Sequence, residues 1–437
     1  MLKFFIIIIQ FIAIFSIVLW SVNHSYTISF EINDLIFSTS SSYIIICFLL
    51  FFIIIYFLQT IYFKTKFSLS KYKIKKIITN KDRGYNSFVN GMIALANKDY
   101  KQASKESIKI SKYLKDSKSL NLLLKSEIYK VEKKYEKLNL IYEEMSQNSH
   151  TQNLGYRGLM EHYLRSQDYH HAFIYGEKLF NNNPNIEKIY ETLVNIIGKT
   201  NNWQQLLNVT DRAYSNKIIN KDLYSINKSI AFYEIAKIKK LSSSRESLDL
   251  IEKALKLNKN FPPFVMLYFE LLIKNNKHDF AKKLIKKIWE VYPHPHYIDF
   301  IRELSKSLNI KLESLVRYIT ESSKNRAESK ILLTEASIES KHWSEARKQI
   351  VSLLDHQPNK EICLLMSKIE EGESNDPQKV NAWILRSNNG DLSKVWVCQV
   401  THMVQKEWSS VSESGYFNSL VWRDPPMLNN LQKLNIM

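Results

Sequence analysis

The sequence predicts an all-α protein. Two N-terminal transmembrane helices lead into a solenoid of antiparallel helical hairpins, closed by a small C-terminal hairpin-like cap. Three observations support this. Two apolar runs, Phe4 to Val22 and Tyr43 to Phe63, open the chain. A beat of aromatic residues, each followed three positions later by a small or aliphatic one, then recurs every 34 or 35 residues: Tyr100/Ala103, Tyr135/Leu138, Tyr169/Ala172, Trp203/Leu206. The segment 388–437 concentrates Trp396, Trp408 and Trp422.

Each apolar run is long enough to cross a hydrocarbon core of about 30 Å as a helix. Polar interruptions are few: Gln10, Ser16 and Ser21 in the first run, Gln59 and Thr60 in the second. Lys3 would suit a cleaved signal peptide, but no small-x-small site follows Val22 and a longer apolar run comes next. Residues 23–42 contain no Lys or Arg, whereas Lys64, Lys66, Lys71, Lys73, Lys75, Lys76, Lys81 and Arg83 follow the second run against a lone Asp82. The positive-inside rule then puts both termini on the cytoplasmic side. The basic stretch suits anionic headgroups, each charge contributing about 1 kcal/mol near the surface. Between the runs, Ile28, Phe30 and Ile32 alternate with Thr27, Ser29 and Glu31, which reads as a β-hairpin turning at Asn33-Asp34.

A period of 34 with this grammar is the tetratricopeptide signature. The phase returns at His278/Ala281, Trp343/Ala346 and Pro377/Val380, and Pro184, Pro293 and Pro358 each fall fifteen residues after a beat. The small residue lets the second helix of a hairpin approach the first; the proline ends that second helix. Tyr100, Ala103, Tyr135, Tyr169, Ala172, Trp203, Ala281, Trp343 and Ala346 are therefore expected packing positions. The beat stretches before Arg245/Leu248, with the extra residues near Tyr214 to Ser225 or at the turn Ser242 to Ser244. A weaker unit lies around Leu308 to Tyr318. Eight or nine hairpins fit between Asp82 and Ser387. The expected organisation is an anchor at 1–63, a basic juxtamembrane segment at 64–83, repeats at 84–387, and a Trp-rich cap and tail at 388–437.

Charged residues make up 24% and hydrophobic ones 45%, so most of the chain should fold. The formal charge of +18 is read as membrane proximity and Lys-rich compositional drift, with no nucleic-acid partner expected. Cys47, Cys363 and Cys398 are too few and too scattered for a disulfide framework or a local metal knuckle. If the tail descends from a four-cysteine ribbon, Thr401, Val411 and Ser414 stand where ligands would be and only Cys398 remains, so no metal is expected. The tail reads as a hairpin cap over the apolar face of the last hairpin.

His294-Pro295-His296 offers the best ligand candidates, since imidazoles bind zinc, copper and haem iron. Residues two apart around a proline are expected to diverge, which favours a structural junction. His170-His171 reads as surface, and Lys282-Lys283-Leu284-Ile285-Lys286-Lys287 as a solvated helix face. No catalytic triad order, phosphate loop or metalloprotease helix is present, so neither an enzyme nor a bound cofactor is expected.

Several segments together resemble the proteobacterial HemY family. They are the two runs around a short hairpin, Arg83-Gly84-Tyr85 with Gly91-Met92-Ile93-Ala94, and Trp289-Glu290-Val291-Tyr292-Pro293-His294-Pro295-His296. Cys363-Leu364-Leu365-Met366 with Ile369-Glu370-Glu371, and the tail Trp396-Val397, Trp408, Val411-Ser412, Gly415 and Trp422, complete the likeness. The resemblance implies a multi-pass bacterial inner-membrane protein, both termini cytoplasmic, linked to haem and tetrapyrrole biosynthesis, with no catalytic residues. It shares its name with a flavin-dependent protoporphyrinogen oxidase, whose strand–GxGxxG–helix fingerprint is missing from this sequence. The function it implies is a scaffold that gathers partner proteins, tetrapyrrole-pathway enzymes among them, on a concave surface. The alternatives are a porphyrin or haem carrier or sensor using His294 and His296, and a membrane adaptor for proteolysis or envelope assembly.

The Lys/Arg imbalance makes the orientation testable. In intact cells expressing a Cys47→Ser background, a cysteine placed at Ser38 should react with an impermeant thiol reagent and one placed at Ser70 should not. The reverse pattern of labelling would contradict the orientation.

Overall fold

The computed structural model describes residues 2–24, 26–32, 35–114, 118–354 and 358–426. It divides into two compact units, Met1–Tyr135 and Glu136–Met437.

The first unit contains α1 (Leu2–Asn23), β1 (Thr27–Ile32), β2 (Leu35–Ser40), α2 (Ser41–Ala96), α3 (Tyr100–Tyr113) and α4 (Lys118–Val131). β1 and β2 pair antiparallel from Thr27↔Ser40 to Ile32↔Leu35; the turn expected at Asn33-Asp34 lies outside the described residues. The Ser42 hydroxyl donates to the Ser21 carbonyl at 2.8 Å, tying the start of α2 to the end of α1. α2 runs for 56 residues without a break. The apolar run, the basic stretch and the first repeat helix are one element, because no proline and no glycine interrupts Ser41 to Arg83. The boundaries expected at 63/64 and 83/84 are thus not breaks in secondary structure.

Lys64, Lys66, Lys71, Lys73, Lys75 and Lys76 are all exposed along α2. Gly84 and Gly91 sit within it where a Cβ would collide with Leu114 and Leu124, so glycine here permits the close approach of α2 to the Ala103, Ile110, Leu114 and Leu124 core. Among the described residues one helix, α2, is long and apolar enough to cross a membrane. The described apolar part of α1, Ile12–Asn23, is a shorter apolar helix.

The second unit begins in α5 (Tyr135–Ser146) and continues as hairpins. These are α6 (Gln152–Arg165) with α7 (Tyr169–Asn182), α8 (Ile189–Thr200) with α9 (Trp203–Ser215), and α10 (Lys221–Lys239) with α11 (Ser244–Leu257). Next come α12 (Pro262–Lys274) with α13 (His278–Val291), and α14 (Tyr297–Ser307) with α15 (Leu312–Ile319). Last are α16 (Ala327–Glu339) with α17 (Trp343–Val351), and α18 (Lys360–Glu373) with α19 (Pro377–Asn388). This unit folds as an α-solenoid of antiparallel helical hairpins. A small sheet of β3 (Val395–Cys398), β4 (Val404–Gln405) and β5 (Leu420–Arg423) follows.

The beat has a conformational cause. Each beat residue opens a second helix, and the residue two before it is left-handed: Lys98, Lys133, Gln167, Asn201, Asn276, Lys341 and Asn375, with φ between 50° and 61°. The residue between them stands at the N-cap position, and three of these are aspartates that cap with their side chains. Asp99, Asp168 and Asp376 accept helix N–H bonds at 2.9, 3.1 and 3.0 Å. Lysine and glutamine in a conformation that usually selects glycine or asparagine hide this turn from the sequence.

The small residues are the packing positions: Ala103, Ala172, Leu206, Ala281 and Ala346 are wholly buried. The aromatics vary. Trp203 is buried, and Tyr100, Tyr169 and Trp343 are half-buried. Tyr135, expected to pack, is 46% exposed. A side chain at the first position of a helix stands at the rim of the hairpin, whereas the one three residues on faces the partner helix. The stretched beat is explained by α10, whose 19 residues make it the longest helix of this unit. Pro184 and Pro293 follow the ends of α7 and α13 as expected, but α17 ends at Val351, and Pro358 instead precedes the Asn359 cap of α18.

Polar contacts link successive hairpins at the repeat spacing. Arg212 pairs with Glu177 at 2.5 Å, Lys286 with Glu321 at 2.5 Å, and Arg302 with Glu339. The lysine-rich face of α13 is therefore partly engaged, with Lys282 and Lys286 also lying over the Tyr318 ring. Deeper, Asn227 donates to the Tyr190 hydroxyl at 2.8 Å, and the Trp289 indole donates to Ser329 at 2.9 Å.

Ala172→Trp should force α6 and α7 apart and cost about 1–3 kcal/mol or more by overpacking. Lys283→Gln on the exposed face of α13 should cost about 0.5 kcal/mol or less. Denaturant midpoints of the two variants measure the difference; equal shifts would refute the repeat phase.

Candidate partner-binding cleft

The C-terminal sheet is antiparallel in the order β4-β3-β5, with Trp396 opposite Trp422 and Cys398 opposite Leu420. It does not cover the last hairpin, as the sequence suggested. It folds back onto the first helices of four earlier hairpins. The Phe417 N–H donates to Asn195 Oδ1 of α8 at 3.0 Å, across 222 residues of chain. Phe417 also faces Trp203, and a Cβ at Gly198 would collide with Val411. Trp408 packs edge-on against Tyr233 of α10, Phe261 and Phe264 of α12, with centroids 5.5, 5.1 and 6.0 Å away. Trp422 lies 4.7 Å from the His294 ring, just before α14.

The physical reason is in α12. Its sequence Pro-Pro-Phe-Val-Met-Leu-Tyr-Phe-Glu-Leu-Leu-Ile-Lys is apolar nearly all round, and eight of its 13 residues are buried. Such a helix needs cover on both faces. The neighbouring second helices cover one face; β3 and Trp408 cover the other. All-round apolarity at 262–274 was the available signal, and periodicity alone did not say what would cover it.

The tail contains two matching turns, Cys398-Gln399-Val400-Thr401-His402 and Val411-Ser412-Glu413-Ser414-Gly415. Each ends in a left-handed residue, His402 at φ 58° and Gly415 at φ 84°. Of the four positions a ribbon would use, Thr401 and Ser414 meet, their hydroxyls hydrogen-bonded at 2.9 Å, whereas Val411 packs toward Gly198 of α8. Cys398 Sγ lies 3.3 Å from Ser419 Oγ and 3.8 Å from Ser412 Oγ. Burial pushes the Cys398 thiol up, but hydrogen bonds from Ser419, Thr401 and the backbone outweigh it and bring it down to about 6. Among the described residues, no group of three or more His, Cys, Asp or Glu side chains is placed to hold a metal ion.

His294 and His296 lie in the loop between α13 and α14, and they converge rather than diverge. Their rings stack at 4.9 Å, Nδ1 to Nδ1 is 3.2 Å, and the His296 N–H donates toward His294 Nδ1 at 3.3 Å. The turn around Pro295, closed by the Tyr297 N–H to the His294 carbonyl at 3.1 Å, swings both rings to one side. His294 is buried against Trp422 and Trp396, and its Nε2 has no hydrogen-bond partner among the described residues. Burial, and then the neighbouring His296, push its pKa down to about 3. Burial also lowers His296, against the pull of Glu407 and Asp299. His170 and His171 are exposed as expected; the His171 backbone and ring bonds hold Asp168 below the usual carboxylate range.

Where the sheet meets α10, α12 and α14 it leaves an open cleft of about 560 Å³. Tyr233, Phe300, Trp396 and Trp408 give it aromatic walls, with Pro262, Pro263, Met266 and Leu267 between them. Its charged residues are Lys237 and Lys240 against Glu270, Asp299, Glu303 and Glu407, and His296 is at its edge. Burial and the carboxylates Glu234, Glu270 and Glu407 raise the Tyr233 phenol, so it stays protonated and can donate.

No protein-family model and no curated protein matches this sequence. Among solved structures it is similar to a Naa15/Naa10 complex bound to HypK-THB, at 12% identity and TM-score 0.38, covering 70% of this chain and 58% of that one. It is also similar to the TPR2AB-domain:pHSP90 complex of yeast Sti1, at 10% identity and TM-score 0.30, covering 70% of this chain and 99% of that one. A tetratricopeptide repeat protein from Parabacteroides merdae shares 15% identity, TM-score 0.27, over 57% of this chain and 99% of that one. The chain thus spans 58% of the length of the first of these. At such identities these likenesses concern helical architecture only, and the hairpins described above establish that architecture in this chain.

The buried imidazole has a pH signature. Folded His294 titrates at about 3, below the ~6.5 of a free side chain. The unfolded chain therefore binds the extra proton between these values, and stability falls as pH drops below ~6.5, by about 1.4 kcal/mol per unit within the window. Denaturation of the wild type between pH 7 and 5 should show stability falling toward acid, and His294→Phe should make that dependence shallower, His296 retaining a part of it. An identical pH dependence in the variant would refute the burial of a neutral imidazole.

Proposed function

We propose that this protein is a membrane-anchored tetratricopeptide scaffold that binds partner proteins on its first-helix face, in association with haem and tetrapyrrole biosynthesis. The observation that favours it most is the cleft formed by three hairpins and the returning tail, an open, aromatic-walled surface without the convergent nucleophile and base of an enzyme. The resemblance to the HemY family supplies the pathway. Under this proposal the runs Phe4 to Val22 and Tyr43 to Phe63 both span a bacterial inner membrane, and both termini are cytoplasmic. The solenoid then gathers enzymes whose intermediates are insoluble and reactive. The chain catalyses nothing itself.

One observation favours a second reading, in which the cleft takes a porphyrin or haem directly: His296 stands at the edge of an aromatic-walled cavity of about 560 Å³. Two measurements separate the readings. Proximity labelling and co-purification of the full chain in mild detergent should retain tetrapyrrole-pathway enzymes, and His296→Ala should leave that capture intact. Haem titration should give no saturable Soret shift. A one-to-one haem complex that vanishes in His296→Ala would overturn the scaffold in favour of the carrier.

A further inference from the structure

In a chain of formal charge +18, the cleft is a local exception: four carboxylates line it against two ammonium groups. The ammonium groups are already used. Lys240 pairs with Glu270, and Lys237 pairs with Glu234 at 3.6 Å while lying over the Tyr233 ring at 5.4 Å. Asp299 is likewise paired, with Arg302 at 2.9 Å. Glu303 of α14 and Glu407 of the tail are left; both are exposed, and neither has an ion-pair partner among the described residues. Both line the cleft, one contributed by the solenoid and one by the returning tail.

A second, independent observation concerns the wall itself. Tyr233, Phe300, Trp396 and Trp408 line the cleft, with Pro262 and Pro263 beside them. Two unpaired carboxylates beside aromatic faces suit a cation carried on an apolar stem. A bare metal ion has no such stem, and an anionic ligand is repelled by Glu303 and Glu407. A polypeptide segment bearing Arg or Lys supplies both, its cation for the carboxylates and its aliphatic stem for Trp396, Phe300 and the prolines.

Resting on the scaffold reading above, we infer that the cleft binds a basic, Arg- or Lys-bearing segment of a partner protein. Its cation pairs with Glu303 and Glu407 beside the aromatic wall. The tail is then part of the binding site, because it contributes Glu407, Trp396 and Trp408. The acidic wall also gives selectivity, since the rest of this basic chain repels cationic ligands.

The test uses the full chain in a neutral detergent and two fluorescein-labelled peptides, one alternating Arg and Leu, the other alternating Glu and Leu. Fluorescence anisotropy should show saturable binding of the Arg-Leu peptide alone. Glu303→Gln combined with Glu407→Gln should raise its Kd about tenfold or more, each single change should raise it less, and Glu328→Gln on the exposed surface of α16 should leave it unchanged. Both positions are exposed, so far-ultraviolet circular dichroism should be unaltered. Equal affinity for the two peptides, no saturable binding of the Arg-Leu peptide, or an unshifted Kd in the double variant would overturn the inference. If the double variant still captures the same partner enzymes undiminished, this inference fails and the scaffold stands. Loss of all capture by the wild type would instead sink the scaffold.

Discussion

Burial of the second apolar face of α12 is the constraint on which the rest of the second unit depends. A tetratricopeptide hairpin normally packs one face of its first helix and leaves the other to solvent or to a ligand. Here Phe261, Phe264 and their neighbours make that other face apolar as well, and water is no cover for it. Each large side chain fully buried there contributes about 1.5–3 kcal/mol, which is enough to draw a tail more than a hundred residues downstream back onto it. Trp408 fills the position that a hydrophobic ligand would otherwise take. The tail thus completes the core locally and walls a cleft at its margin.

The same docking explains the histidine loop. A proline between two histidines would leave both rings in solvent if the loop were free. Packed under Trp422 and Trp396, the turn brings the rings together, and desolvation keeps His294 neutral. His294 serves as a flat, adaptable spacer between α13, α14 and β5, while its neighbour reaches the cleft. Two imidazoles at contact distance without further ligands make a packing element first.

Hydroxyls hold the tail's two turns together. Each turn closes on a left-handed residue, His402 and Gly415. Thr401 and Ser414 join the turns by a hydrogen bond, while Ser412 and Ser419 lie around the single Cys398 thiol. Hydrogen bonds among small hydroxyls are individually modest, about 0.5–1.5 kcal/mol each. Docking against the solenoid adds the apolar burial that so small a sheet lacks by itself.

The repeat phase was legible because it is local. The spacing from Tyr169 to Ala172, the buried alanines at the heart of each hairpin, and the prolines after α7 and α13 all arise within some 34 residues, where helix geometry relates sequence distance directly to space. The continuous α2 was partly legible, since nothing between Ser41 and Arg83 could break it, although charge composition suggested a boundary. Tyr135 misled because an aromatic at a helix start is covered only if a neighbour happens to reach it. What the tertiary structure alone decided is where the tail goes, and so what the cleft is. The Asn195–Phe417 bond, the convergence of His294 with Trp422, and the lining of one cleft by both Glu303 and Glu407 join residues between 104 and 222 positions apart. No periodic pattern encodes such pairs. They follow from one apolar surface finding cover within its own chain.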